Sequence, residues 1–220
     1  MEELGLSTLE WVNPPRQTRS QKTLERILVA AEQLVLEQGF DGTSVAGVVK
    51  LAQSSVGAFY SRFPDKQALL LCLRDRFIEQ AVATLQLALL PERWTGIRTR
   101  DMVYANVRFT LAMFRERSRL IAAFARHLGE DFLQVELSLV ERSTESIQTI
   151  LESRGERVGH RNGPAAVRFA VSCVFANLVA RVQQIAAGVK TDYEDEEVSH
   201  QLAEMVVAYL KLEEAAPRCQ

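Results

Sequence analysis

Apolar residues recur at spacings of three and four along almost the whole chain, with no sustained alternation of two. That periodicity predicts amphipathic helices and no strands. A first helix is expected over about 20–38, with Leu24, Ile27, Leu28, Ala31, Leu34 and Val35 on one face. Gly39 stands where a left-handed cap would end it, and Phe40 follows as a hydrophobic plug. Thr43 or Ser44 then caps a short helix to about Leu51, and after a turn at 52–54, Ser54 or Ser55 caps another reaching Phe63. Pro64 and Asp65 read as the first turn of a long fourth helix that Pro91 ends. Further helices are expected over 98–117, 119–129, 131–153, 164–187 and 192–213, with a linker rich in Gly and Arg at 154–164. The fold class is therefore all-α: about nine helices, with a three-helix amino-terminal domain joined by a long helix to a helical bundle.

Two short helices joined by a tight turn, with a longer helix in front, form a helix-turn-helix. In that motif the second short helix lies in the DNA major groove, which admits one helix. The residues of 43–66 suit this geometry. Val45, Val48 and Val49 can face a small core, and Ala52 is small where the two helices cross. Gly57 removes a side chain where the recognition helix approaches a backbone. Phe63 can anchor that helix, while Tyr60 can reach a phosphate with its hydroxyl.

Composition narrows the picture without changing it. The chain has 220 residues, 47% of them hydrophobic and 25% charged, enough for a sizeable core and a polar surface. Its net charge of −2 excludes a generally polybasic nucleic-acid binder, so any positive face is local. Between Pro14 and Lys66, seven Lys/Arg face five acids, and four of the seven (Arg16, Arg19, Lys22, Arg26) precede residue 27. That run reads as a basic arm or as an ordinary solvated helix start. Three cysteines, Cys72, Cys173 and Cys219, have neither zinc spacing nor a disulfide framework. The amino terminus lacks signal-peptide order, and Arg168, Asn177 and Arg181 interrupt the most apolar stretch, 165–189. A cytoplasmic protein with no membrane segment and no cofactor is expected.

The stretch from Gln21 to Leu70 resembles the amino-terminal domain of the tetracycline-repressor (TetR) family. The resemblance rests on Gly39-Phe40, Thr43-Ser44, Val48 with Ala52, and the run Ser55-Val56-Gly57-Ala58-Phe59-Tyr60-Ser61-Arg62-Phe63-Pro64-Asp65-Lys66. It departs where family members often carry Gly-Val and this chain has Gln53-Ser54. The resemblance implies a homodimer on a palindromic double-stranded DNA operator and a separate carboxy-terminal domain that binds a small-molecule effector. By the same resemblance Thr43, Ser44, Tyr60 and Lys66 would hold phosphates, Ser55, Val56 and Gly57 would face bases, and Arg62 would touch a phosphate or a base edge. Arg16, Arg19 and Lys22 of the arm complete the expected DNA contacts. The implied organisation is an arm over 1–20, a DNA-binding domain over 21–66 and an effector and dimerisation domain over 67–220. Ligand binding would move the long fourth helix and change the separation of the recognition helices.

The carboxy-terminal part is less informative. Met102, Asn106, Phe109, Thr110, Met113, Phe124, His127, Phe132 and Glu136 mix large apolar side chains with a few polar ones. Small-ligand sites are built that way, and so is an ordinary helical core. The last two helices offer Val167, Ala170, Val171, Val174 and Leu178, then Val198, Leu202, Met205, Val206 and Tyr209, as a dimerisation pair. The acids at 194–197 suit a helix start better than a metal. Glu197 and His200 form a single Glu-x-x-His, whereas a di-iron bundle needs two such pairs and further carboxylates. A helical interaction adaptor and, behind it, such a metalloenzyme are the competing readings.

Overall fold

The computed structural model describes residues 18–212, and it is all-helical: among these residues no strand occurs. The order is α1 (Thr18–Gly42), α2 (Val45–Leu51), α3 (Val56–Tyr60), α4 (Lys66–Ala88), a 3-10 turn (Pro91–Trp94), α5 (Thr99–Glu116), α6 (Ser118–His127), α7 (Glu130–Arg154), α8 (Gly163–Ala186) and α9 (Asp195–Leu210).

The chain divides into two compact units. Among the described residues one comprises 18–79 and 119–132, the other 80–118 and 133–212. This differs from a boundary at residue 66. The first part of α4 and nearly all of α6 belong with the amino-terminal helices, because their apolar faces close that core: Leu69, Leu70, Leu73, Leu120, Ile121 and Phe124 are all buried.

In the amino-terminal unit the local signals act as the sequence suggests. Gly39 takes φ 76 and ψ 167, a region essentially confined to glycine, and breaks α1 there. Phe40 follows, buried, with its ring against the His127 ring at 4.9 Å. Leu24, Ile27, Leu28, Ala31 and Val35 are buried and Leu34 half-buried. Of the alternative caps, Ser44 accepts from the Gly47 N–H and Ser55 from the Ala58 N–H. Pro64 and Asp65 precede α4 rather than forming its first turn; Asp65 caps the helix from outside, accepting from the Ala68 N–H at 2.8 Å.

In the carboxy-terminal unit α5 packs against α9 and α8, and α8 against α9. Arg181, 8% exposed, pairs with Asp195 at 2.8 Å and donates to the Tyr193 carbonyl, fixing the α8–α9 connection. The acidic start of α9 thus has a definite role for Asp195, which also pairs with Arg115.

Candidate nucleic-acid interface and effector cavity

The turn between α2 and α3 is short and closely tied. The Ala52 N–H donates to Val48 O and the Ser54 N–H to Val49 O, while Gln53 adopts φ 49. Arg26 on α1 donates to the Gln53 carbonyl. Phe59 and Phe63, both fully buried, pin α3 from beneath, with ring centroids 5.2 Å apart. Burying two such rings contributes on the order of 2–3 kcal/mol each, enough to hold a five-residue helix that would not persist alone.

With α3 pinned on that side, its opposite face is open. Val56 is 50% and Tyr60 53% exposed, and Ser55 and Gly57 are exposed between and beside them. A Cβ added at Gly57 would meet nothing within 4 Å, and its φ is not positive. Neither backbone geometry nor packing inside the protein requires glycine there. Ser44 is also exposed at the start of α2, and Lys22 on α1 is exposed.

Three expected DNA contacts are placed differently. Thr43 is 2% exposed and its hydroxyl donates to the Gly39 carbonyl at 2.8 Å, so it braces the turn after α1. Lys66 places its ammonium on the carbonyls of Phe40 (2.9 Å) and Thr43 (3.1 Å), and over the Phe40 ring. Those carbonyls follow the Gly39 break at the end of α1, where a cation is favoured; Phe40 O also accepts from the Thr43 N–H at 3.1 Å. Arg62 turns back to Ala58 O (2.6 Å) and to Ser20 Oγ (2.7 Å), tying α3 to the start of α1. Each of these side chains shapes the motif instead of lying on its open face. Arg16 and the side chain of Arg19 lie outside the described residues.

The two departures at Gln53-Ser54 have a physical cost. Gln53 holds a left-handed conformation that glycine adopts freely. Ser54 buries its hydroxyl without a hydrogen-bond partner.

The carboxy-terminal unit encloses a cavity of about 720 Å³ of space free of atoms, counted out to its mouth. Its wall draws on the end of α4 and on α5, α7, α8 and α9. Of the residues named as candidate ligand contacts, Met102, Asn106 and Thr110 line it. Phe109, Met113 and Glu136 do not: Phe109 is 40% exposed, and its side of α5 faces away. Phe124, His127 and Phe132 belong to the other unit, where Phe124 packs on Phe77 and His127 on Phe40 and Asp41. The wall is completed by residues first assigned to dimerisation. Val167, Ala170, Val171, Val174 and Val206 line the cavity, and Leu178 and Leu202 are buried beside them. These seven residues serve the protomer's own core. Of that set only Met205 is exposed, with Val198 and Tyr209 half-buried. No group of three or more potential metal ligands occurs among the described residues.

Helix α8 has a mean hydropathy of 1.6 over its most apolar window, yet only half of that window is buried. Its outer side carries Phe169 (57% exposed), Cys173, Ala176 and Ala180 at spacings of four, three and four. Sequence periodicity could not find this face, because α8 is apolar all round.

Comparison with known proteins bears on both units. Residues 27–73 match the model of bacterial regulatory proteins, tetR family. The HTH-type transcriptional regulator UidR of Escherichia coli K12 is 32% identical over 110 residues, which span 50% of this chain and 54% of UidR. The chain thus spans about half the length of the curated relatives it matches. A TetR-family regulator of Mesorhizobium loti shares the fold with a TM-score of 0.69 at 21% identity, over 89% of this chain and 98% of the other. RolR in complex with resorcinol aligns with a TM-score of 0.59 at 19% identity, over 90% and 92%.

Proposed function

We propose that this chain, which matches the TetR family of bacterial regulatory proteins over residues 27–73, is a ligand-responsive transcriptional repressor that binds a palindromic operator as a homodimer. The observation that carries the DNA-binding part is the open face of α3, where Ser55, Val56, Gly57 and Tyr60 are exposed on a helix anchored by Phe59 and Phe63. Val56 offers methyl groups to thymine, and Gly57 allows close approach to the bases. Ser44 and Tyr60 supply hydroxyls for phosphates, and Lys22 and the arm supply charge. With Arg62 turned inward, this face holds no bidentate base reader, so operator shape carries much of the specificity.

The exposed side of α8, with Met205 of α9, is the face we assign to the dimer. Its small residues at near-heptad spacing suit close helix packing across a two-fold axis. The neutral cavity is the effector site, and the protein works in the cytoplasm beside its DNA.

Mobility shift on DNA flanking the protein's own gene tests the reading. Two chains per site are expected, with affinity falling steeply as salt rises. Tyr60→Phe removes an exposed hydroxyl that has no hydrogen-bond partner among the described residues. It should weaken operator and unrelated DNA alike, by about five-fold. Absence of any DNA binding at low salt would return the chain to the adaptor reading.

A further inference from the structure

The effector cavity has an apolar wall with one unusual polar group. No acidic or basic side chain lines it. Its hydroxyls are otherwise committed: Thr110 donates to the Asn106 carbonyl at 2.8 Å, and Thr99 to Glu156 at 2.6 Å. The neighbouring Thr144, one residue along α7, donates to Val140 O at 2.7 Å. Ser143 differs. It lines the cavity, is only 4% exposed, and its Oγ is buried with no hydrogen-bond partner.

A helical serine can usually donate back to the carbonyl four residues earlier, as Thr144 does. A buried hydroxyl left without a partner is costly, and such groups in native proteins call for an explanation. A ligand group arriving in the cavity supplies the partner. The wall also limits that ligand's charge. Moving an ion into a pocket without a counter-charge carries a desolvation penalty that a single hydroxyl does not offset.

We propose that Ser143 is the polar recognition point for an uncharged, largely apolar effector carrying a hydroxyl group. The inference rests on reading this cavity as the effector site. The effector's oxygen accepts from Ser143, and its own proton goes to an acceptor on α5. Asn106 and Thr110 stand one turn apart there, on the same wall. Thr110 already donates its proton, so its oxygen is free to accept. Asn106 uses its amide nitrogen on Met102 O, which leaves its carbonyl oxygen for the same purpose. A hydroxyl, being both donor and acceptor, fits both sides; a carboxylate fits only the first and brings the charge.

The test uses the full chain and three probes of one shape: 1-naphthol, naphthalene and 1-naphthoate, titrated calorimetrically into wild type and Ser143→Ala. Wild type should bind 1-naphthol about ten-fold more tightly than 1-naphthoate. Ser143→Ala should lose about five-fold for 1-naphthol and nothing for naphthalene. The unliganded Ser143→Ala protein should melt at or above the wild-type temperature, because it has lost an unpartnered hydroxyl. Equal binding of the carboxylate, an unchanged 1-naphthol affinity in the variant, or a lowered melting temperature each overturns the proposal. So does failure of all three probes to bind. If that failure accompanies normal operator binding, the neutral-effector inference alone is lost. If the probes bind and DNA does not, the regulator reading is lost while the cavity's chemistry stands.

Discussion

Adding a side chain at Gly57 separates the folding of the helix-turn-helix from its use. Gly57 is in the first turn of α3, and a Cβ there meets no atom within 4 Å. Gly57→Ala therefore adds no clash and reduces the freedom of the unfolded chain. A glycine in a helix is about 0.5–1 kcal/mol less favourable than alanine. Near the end of a five-residue helix the lower value applies, so the variant should gain about 0.5 kcal/mol. Gly57→Leu should fold as stably, since its side chain enters the same open space. Its effect on DNA is opposite in sign. The added side chain occupies the face flanked by exposed Val56 and Tyr60 and holds the helix away from the base edges. Displacing base contacts at one position costs roughly what a mismatched base pair does, about 2 kcal/mol, or some thirty-fold in affinity. Urea denaturation measures the first quantity, and fluorescence anisotropy with operator DNA at fixed salt measures the second. Gly57→Leu binding operator like wild type would refute the placement of this face against DNA. A loss of stability matching the loss of affinity would show instead that glycine serves the protein's own packing.

Three further outcomes follow from the same geometry. Restoring the family's residues with Gln53→Gly and Ser54→Val relieves a left-handed glutamine and removes a buried unpartnered hydroxyl, so the double variant should gain about 1–3 kcal/mol in urea denaturation. Lys66→Ala strips two carbonyls of a charged donor and should cost about 2 kcal/mol of stability by the same measurement; a fully stable Lys66→Ala with weakened DNA binding would instead support a phosphate contact. Cys72 is fully buried, and burial, followed by the nearby Asp75 charge, pushes its thiol up to about 12 from 9.0. The native state then holds its proton where the unfolded state releases it. Its contribution to stability is present below pH 9.0 and is lost as pH rises from there towards about 12. Peptide mapping after alkylation at pH 8 should accordingly find Cys72 protected in the native protein and modified after unfolding.

What could be read in advance was what local chemistry decides. Gly39, Phe40, Ser44 and Ser55 act on their immediate neighbours, and the helix boundaries they imply hold within a few residues. The contacts of Lys66 and Arg62 were not legible in advance, because a cation near a helix end has two kinds of partner, a phosphate outside and a carbonyl inside. Only the folded chain shows that Phe40 O, Thr43 O and Ala58 O lie within reach. The cavity was harder still. Phe124 and Phe132 have the same periodicity as Met102, yet they close the core of the other unit, since α6 and the start of α7 fold with the amino-terminal helices. On α8, apolar residues on every side conceal which face is inward. Val167, Ala170, Val171 and Val174 turned to the cavity, and Phe169, Ala176 and Ala180 to solvent. Ser143 carried no sequence signal at all, because its distinction is the hydrogen bond it lacks.

The central claim is that the open face of α3 reads DNA. Its most direct test is selection of binding sites by the purified protein from a random duplex library, followed by nuclease footprinting of the winners. One enriched inverted repeat is expected, with two protected half-sites whose centres lie about one helical turn, or a multiple of it, apart. A library that emerges without any enriched sequence, at salt low enough to retain non-specific binding, would contradict it.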